Sequence, residues 1–473
     1  MNWGKLWIRI TIVGVLIVTA AVLGQIRRWQ EQPVPNIEVD QSVTKKPKTS
    51  VRSVKDAEPE VMVRFKPGVS IQEKRKIAGR LNDRLEDRIE SVAGLVAIDD
   101  LDNATPEEVA EQYRQMAEVL YAEPVMTIKL DDPMHDSLGR DLLQRSPSDN
   151  IPNDPQFGEQ WALNNLGQDG GKERADIDAL KAWSKTRGSE DVVVAVLDTG
   201  VDYTHTDLAT NMWVRPDTVP QYVDDELGTF NDINGYDANA NAADPMDENG
   251  HGTHCSGIVG AEGNNGEGIA GINWNVRIMP LKFMGRGGYG TTKDAIEAIN
   301  YAIDRKQKGV NVRVISASWG STMYSKALED AIRAAGENGI LFVAAAGNAS
   351  TNNDNRPHYP SNYDLPNVIS VAATDRNDVL ASFSNFGAKT VHIAAPGREI
   401  VSTWLSNAYR EASGTSMATP YVSGVAALII ASEPNITVEK LRERLLRSVD
   451  KLDALSGKVA SGGRLNAAKA LGQ

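Results

Sequence analysis

The chain has 473 residues, 41% hydrophobic and 24% charged, with a formal net charge of −13. Such a length asks for about two to three domains, or for one large α/β domain with additions. The acidic balance excludes a nucleic-acid binder, which needs a basic face, and the single cysteine excludes an internal disulfide framework.

Residues 1–30 set Lys5 and Arg9 ahead of an apolar run from Ile10 to Gly24. The run has the length of a signal-peptide core and is short for a membrane span. Small residues at 18–21 offer cleavage positions, whereas Arg27 and Arg28 suit an uncleaved anchor. On either reading the remainder of the chain crosses a membrane. Residues 31–58, rich in Pro, Lys, Ser and Val without an apolar period, read as linker.

Over residues 59–130 the pattern changes. EVMVRFK alternates as a strand, and IQEKRKIAGRLN has helical spacing at Ile71, Ile77 and Leu81. RIESV and GLVAIDD read as two strands. Thr105 then caps a second helix with Pro106 at its first position, and AEPVMTIKL closes the set. The order βαββαβ predicts a small α+β ferredoxin-like unit. Residues 131–150 carry charge, Pro and Ser and read as an exposed linker.

Residues 151–473 alternate buried runs with amphipathic stretches. The runs are DVVVAVLD, VRIMPLKF, VRVISASW, ILFVAAAG and VISVAA; TTKDAIEAINYAIDRK and SKALEDAIRAAGENG lie between them. This predicts an α/β domain, an open and mostly parallel sheet with helices on both faces. Ligands bind such sheets at the carboxyl ends of strands, where Asp198 and Asn348 fall.

Three stretches carry chemistry. VAVLDTGVDYTHTDL ends a strand at Asp198, DENGHGTHCSG opens a small-residue helix at His251, and SGTSMATPYVSGVAALIIAS opens an apolar helix near Ser416. Taken alone, His251, His254 and Cys255 suit metal ligation, a base beside a nucleophile, or one catalytic histidine with packing neighbours. Zinc lacks a fourth ligand at convincing spacing. Acyl transfer needs a nucleophile, a base and a carboxylate to orient the base, and Ser416, His251 and Asp198 supply one of each. All six histidines precede Ser416 and the motif is Gly-x-Ser-x-Ala, which argues against an α/β-hydrolase.

In these motifs, in their order and in AAAGN, the sequence resembles the subtilisin-like serine peptidases, nearest their thermitase-like branch. The likeness is strong over residues 152–473. On FKPGV and YAEPV, residues 59–130 are similar to the family's inhibitory prosegment. The resemblance implies a secreted serine endopeptidase of broad specificity, made as a self-processing zymogen and located outside the cell or in its envelope. Its partners would be protein or peptide substrates and its own prosegment. A membrane is implied only if residues 1–30 stay uncleaved, and the cut releasing the prosegment is expected between about residues 125 and 152.

The resemblance also implies residue roles. Asp198, His251 and Ser416 form the triad and Asn348 the oxyanion donor. Ser318, Trp319, Gly320, Ala346 and Gly347 line the first specificity pocket. Gly288, Tyr289 and Gly290 pair with substrate upstream, Tyr289 at the mouth of the fourth subsite. His358, just before Tyr359-Pro360, falls near the pocket floor, where it would shorten the pocket and add a titratable donor. Cys255 packs beside the site and confers sensitivity to mercurials; His205, His254 and His392 are structural, and Asp202 is a surface or turn residue. No catalytic cofactor is implied. Structural calcium is, at Asp154, Asp207, Asn264 and Asn265, with a weaker second site at Asp237, Asn239, Asn241, Asp244 and Asp247.

Overall fold

Alternation in the first strand divides its side chains between two cores. In Glu60–Phe65, Val61, Val63 and Phe65 face the unit's own helices, Ile71–Arg80 and Pro106–Arg114, while Met62 faces the opposite way. The computed structural model describes residues 60–102, 104–131 and 151–473. The expected signal or anchor at 1–30, the linker 31–58 and all of the 131–150 linker except Asp131 lie outside the described residues.

The first unit is a four-stranded antiparallel sheet in the spatial order Asp83–Arg88, Leu95–Asp100, Glu60–Phe65, Val119–Pro124. Its second strand lies ahead of the RIESV segment. Asn82, at φ 61°, ends the first helix and turns the chain at once into Asp83. Thr105 and Glu108 cap the second helix reciprocally. The sheet face carrying Met62, Leu95 and Ala97, with Ile89 and Val92 from the turn, packs with the apolar sides of helices Thr292–Gln307 and Lys326–Glu337.

Those helices cover one face of a nine-stranded, mostly parallel sheet. Its order is Val449–Lys451, Gly463–Leu465, Ile393–Pro396, Val368–Thr374, Leu341–Ala345, Val312–Ala317, Gly188–Asp198, Asn275–Lys282, Tyr236–Asp237. Only the Val449–Lys451 pairing is antiparallel. Strand Gly188–Asp198 sits inside the sheet and sends Val192, Val194 and Val196 to one core and Val193, Ala195 and Leu197 to the other. Each of these valines and the leucine contributes about 1.5–3 kcal/mol on burial. Helices His251–Gly260 and Thr415–Ser432 fill the second face. Thr415–Ser432 is long and apolar enough to cross a membrane, but it is a core helix, 89% buried.

Candidate active site

Asp198 ends its strand beside the start of the His251 helix. Gly252 allows the approach: a Cβ there would overlap the Gly200 carbonyl and lie 3.1 Å from Asp198 Cβ. His251 Nδ1 lies 2.7 Å from Asp198 Oδ1, which also accepts the Thr199 N–H at 2.8 Å. Burial, the largest single influence, opposes a charge on His251, but Asp198 and Cys255 together outweigh it and hold the imidazole's pKa well above the ordinary value. Asp247 braces the helix start. One of its oxygens accepts the N–H groups of Asn249 and Gly250, and the other accepts the N–H and hydroxyl of Thr253.

Ser416 is the second residue of its helix, where the helix dipole favours negative charge. It does not bond His251. Its hydroxyl donates to the Ser318 carbonyl at 2.8 Å, the Ser318 hydroxyl donates back to the Ser416 carbonyl at 2.8 Å, and His251 Nε2 has no hydrogen-bond partner among the described residues. Asn348 is locked by its carbonyl oxygen, which accepts the Thr415 N–H at 2.8 Å and the Thr415 hydroxyl at 2.9 Å. Its NH2 therefore faces the open side. An ideal Cβ on Gly414 would lie 3.5 Å from Asn348 Nδ2 and 3.6 Å from Ser416 N, so the two donors flank one small space.

A groove leads to that space. Tyr289–Thr291 pairs antiparallel with Thr127–Lys129, placing Ile128 opposite Gly290, and the Leu130 N–H donates to the Gly288 carbonyl at 2.8 Å. Tyr289 is exposed, with Lys129 Nζ 5.7 Å from its ring centre. Trp319 packs on Phe283, its ring centre 4.6 Å away. His358 lies against Gly320 and Gly347, since a Cβ on the first would overlap its ring and one on the second would lie 3.0 Å from it.

A family model, the subtilase family (Peptidase S8), matches residues 189–466. The chain belongs to the subtilase family. It is 41% identical over 290 residues to the thermophilic serine proteinase of Bacillus sp. (strain AK1), a match covering 61% of this chain and 64% of that protein. It is 37% identical over 320 residues to thermitase of Thermoactinomyces vulgaris, covering 68% of this chain and 99% of thermitase. Among solved structures, fervidolysin of Fervidobacterium pennivorans, a keratinolytic enzyme related to subtilisin, is similar with TM-score 0.68 at 23% identity, covering 88% of this chain and 61% of that one. The last likeness speaks to fold alone. The family and thermitase likenesses make this chain a subtilisin-like serine endopeptidase.

The remaining subtilase positions divide. Cys255 is buried, its Sγ 3.9 Å from His251 Nδ1 and 3.5 Å from the Ser416 carbonyl, and burial pushes its thiol pKa up. His254 does not join it: its Nε2 faces the carbonyls of Ile400 and Arg410, so the three-residue zinc set is not assembled. His205 and His392 are tied to main-chain atoms of Ala408, Asp207 and Ser370. Asp202 is a turn residue but is buried, accepting from Thr204 and Ser406.

Asp154 Oδ2 accepts the Asn264 N–H at 2.7 Å, and Asp207 Oδ1 accepts Asn265 Nδ2 at 2.9 Å. Burial, with Asp207 among the added causes, pushes the Asp154 pKa up to about 6, and Asp154 Oδ1 is buried without a hydrogen-bond partner. Two buried carboxylates and an orphaned oxygen fit a hard cation. The side chain of Asn264 accepts from Asn153 N, and that of Asn265 presents its NH2 to Asp207, so neither amide oxygen faces Asp207. The members of the weaker set are each bonded to other groups. Asp247 is committed to the His251 helix, Lys282 lies 4.0 Å from Asp237, Asn239 donates to Asp294, Asn241 accepts from Tyr236, and Asp244 accepts from Tyr203.

Sequence reasoning missed Asp131, read there as linker. Its Oδ2 lies 3.2 Å from Asn348 Nδ2. It also missed Glu123, whose carboxylate accepts the Ser325 hydroxyl and the N–H groups of Lys326 and Ala327 at the start of a peptidase-domain helix. Acidic residues near the end of a presumed inhibitory unit were the available signal.

Proposed function

We propose that this subtilase is exported and made as a self-processing zymogen, with Asp198, His251 and Ser416 as its triad and residues 59–130 as its inhibitory prosegment. The observation that carries this reading is the segment Thr127–Asp131, which pairs along the groove and reaches Asn348. Export rests on the charged start and apolar run of residues 1–24.

In the proposed reaction, Ser416 turns from Ser318, gives its proton to His251 Nε2 and attacks the scissile carbonyl. Asp198 fixes the imidazole through Nδ1 and stabilises its charged form. Asn348 Nδ2 and the Ser416 N–H receive the oxyanion. His251 then protonates the leaving amine, and water releases the acyl group. A fluorophosphonate probe tests this: it is expected to label Ser416 in wild type and to label His251→Ala far more slowly. Absence of any serine adduct would favour a peptide-binding relative without catalysis.

Asn348→Ala is expected to lower kcat by about 10²–10³ with KM little changed, a magnitude known for such a donor in this family rather than read from these distances. An unchanged kcat in Asn348→Ala, or a loss confined to KM, would argue against a donor role.

Asp154 and Asp207 are proposed to hold structural calcium, which on binding only the folded state stabilises it by mass action. At a hundredfold excess over Kd this is about 2.7 kcal/mol. Chelation is therefore expected to lower the Tm of the mature domain by about 4 °C, and Asp154→Asn should abolish the difference. An unchanged Tm contradicts the site.

A further inference from the structure

The pocket next to Asn348 already faces a residue of this chain. Strand pairing carries Thr127–Lys129 and Leu130 along Tyr289–Thr291 and Gly288, and Asp131 comes next. Its carboxylate meets the Asn348 NH2, which Thr415 holds in that direction from behind. Asp131 is itself exposed.

His358 forms the pocket's polar wall. The ring fills the space beside Gly320 and Gly347, where a Cβ on either residue would meet it. Its position is fixed from its own segment: the His358 N–H donates to Asn362 Oδ1 at 3.1 Å, and Tyr359 and Ser321 exchange two main-chain bonds at 2.7 Å. His358 Nδ1 is buried without a hydrogen-bond partner among the described residues. Two groups act on the ring. Burial lowers its pKa, and the Asp131 carboxylate and the Ala345 carbonyl pull it back up. The other residues named for this pocket, Ser318, Trp319, Gly320, Ala346 and Gly347, bring no charge. An unpaired imidazole nitrogen on a ring packed against Gly320 and Gly347, with the Asp131 carboxylate held at neighbouring Asn348, suits a hydrogen-bonding acid better than a large apolar side chain.

We infer that the first specificity pocket accepts an acidic side chain, with His358 as its specificity-determining residue, and that self-cleavage falls on the carboxyl side of Asp131. This deepens the zymogen reading and rests on it. In that step Ser416 Oγ bonds the Asp131 carbonyl carbon while its proton passes to His251. The bond from that carbon to the next nitrogen breaks, and His251 protonates the nitrogen. Water then splits the ester, leaving the Asp131 carboxylate and free Ser416.

The full chain is made as wild type, His358→Gly, Asp131→Leu and the double variant. The new N-terminus is sequenced, and active sites are titrated with the fluorophosphonate. The mature enzymes are then compared on peptides differing only in Asp or Leu before the cut. Wild type is expected to begin at residue 132, with His358→Gly lowering the Asp-to-Leu ratio of kcat/KM at least about tenfold. Asp131→Leu should slow processing, and the double variant should recover it. His358→Gln, close in size, covers a folding failure of the glycine variant; in wild type the Asp-to-Leu ratio should rise as pH falls, and in His358→Gln it should stay flat. A wild-type N-terminus elsewhere, or a ratio unmoved by either substitution, overturns the inference while probe labelling leaves the protease reading standing. No probe labelling in wild type defeats the protease reading and this inference with it.

Discussion

Ser416→Ala is expected to lower kcat/KM of the folded, prosegment-free domain by about 10⁶, and His251→Ala by a similar factor, with the double variant no worse than either. The effects overlap because each residue serves one proton transfer: without His251 the Ser416 hydroxyl has no base, and without Ser416 the base has nothing to activate. The geometry places the coupling on the Asp198 side already, through the 2.7 Å contact with His251. Asp198→Asn is expected to cost about 10⁴, since an amide favours the wrong imidazole tautomer. These variants would be matured by a second protease and assayed on one peptide. Additive losses in the double variant would mean that the two residues act in separate steps.

Raising the pH is expected to loosen the hold of the proposed prosegment on the peptidase domain. Asp87 of the first unit and Glu297 of helix Thr292–Gln307 are both buried, and burial above all pushes their pKa values up; Glu297 adds to the rise at Asp87, while Asp294 and Glu86 add to the rise at Glu297. Asp224 and Glu90 add negative charge beside Asp87, while Lys293 lies 3.8 Å from Glu297. Glu60 is raised to about 7 by burial, against the pull of Lys293 and with Glu86, Asp294 and Asp99 adding to the rise. These acids bind protons more tightly in the complex than when separated. Below their free-state values both forms are protonated and pH has no effect. Above them, each retained proton costs about tenfold in affinity per pH unit until the raised value is passed. One proton held by the Asp87–Glu297 pair gives about a thousandfold weaker inhibition at pH 8 than at pH 5. The check is the inhibition constant of the prosegment across that range, with Asp87→Asn expected to flatten the profile. Inhibition that tightens with pH would contradict the direction.

The proposed catalytic positions stand out in the sequence because each lies in a short motif whose glycines report close packing. Gly252 beside His251 marks the approach of helix to strand that lets Asp198 reach the imidazole. The alternating βα pattern likewise foretold the mostly parallel sheet and its two helix layers. What escaped reading depends on contacts between distant segments. The rotamer that sends Ser416 to Ser318, and the bonds from Thr415 that aim Asn348, have no local signature. Asp247 looked like a candidate ligand because it is an acid in a polar loop, yet Thr253 and two main-chain N–H groups saturate it. Asp131 read as linker because the strand it follows pairs with residues far along the chain.

The central claim is that this subtilase matures itself through Ser416. Its most direct test is the intact mass of the full chain, wild type against Ser416→Ala, produced in a host without a protease able to act in trans. Wild type should yield a mature chain and a separate prosegment, and Ser416→Ala only the uncleaved precursor. Identical processing of the two would contradict the account.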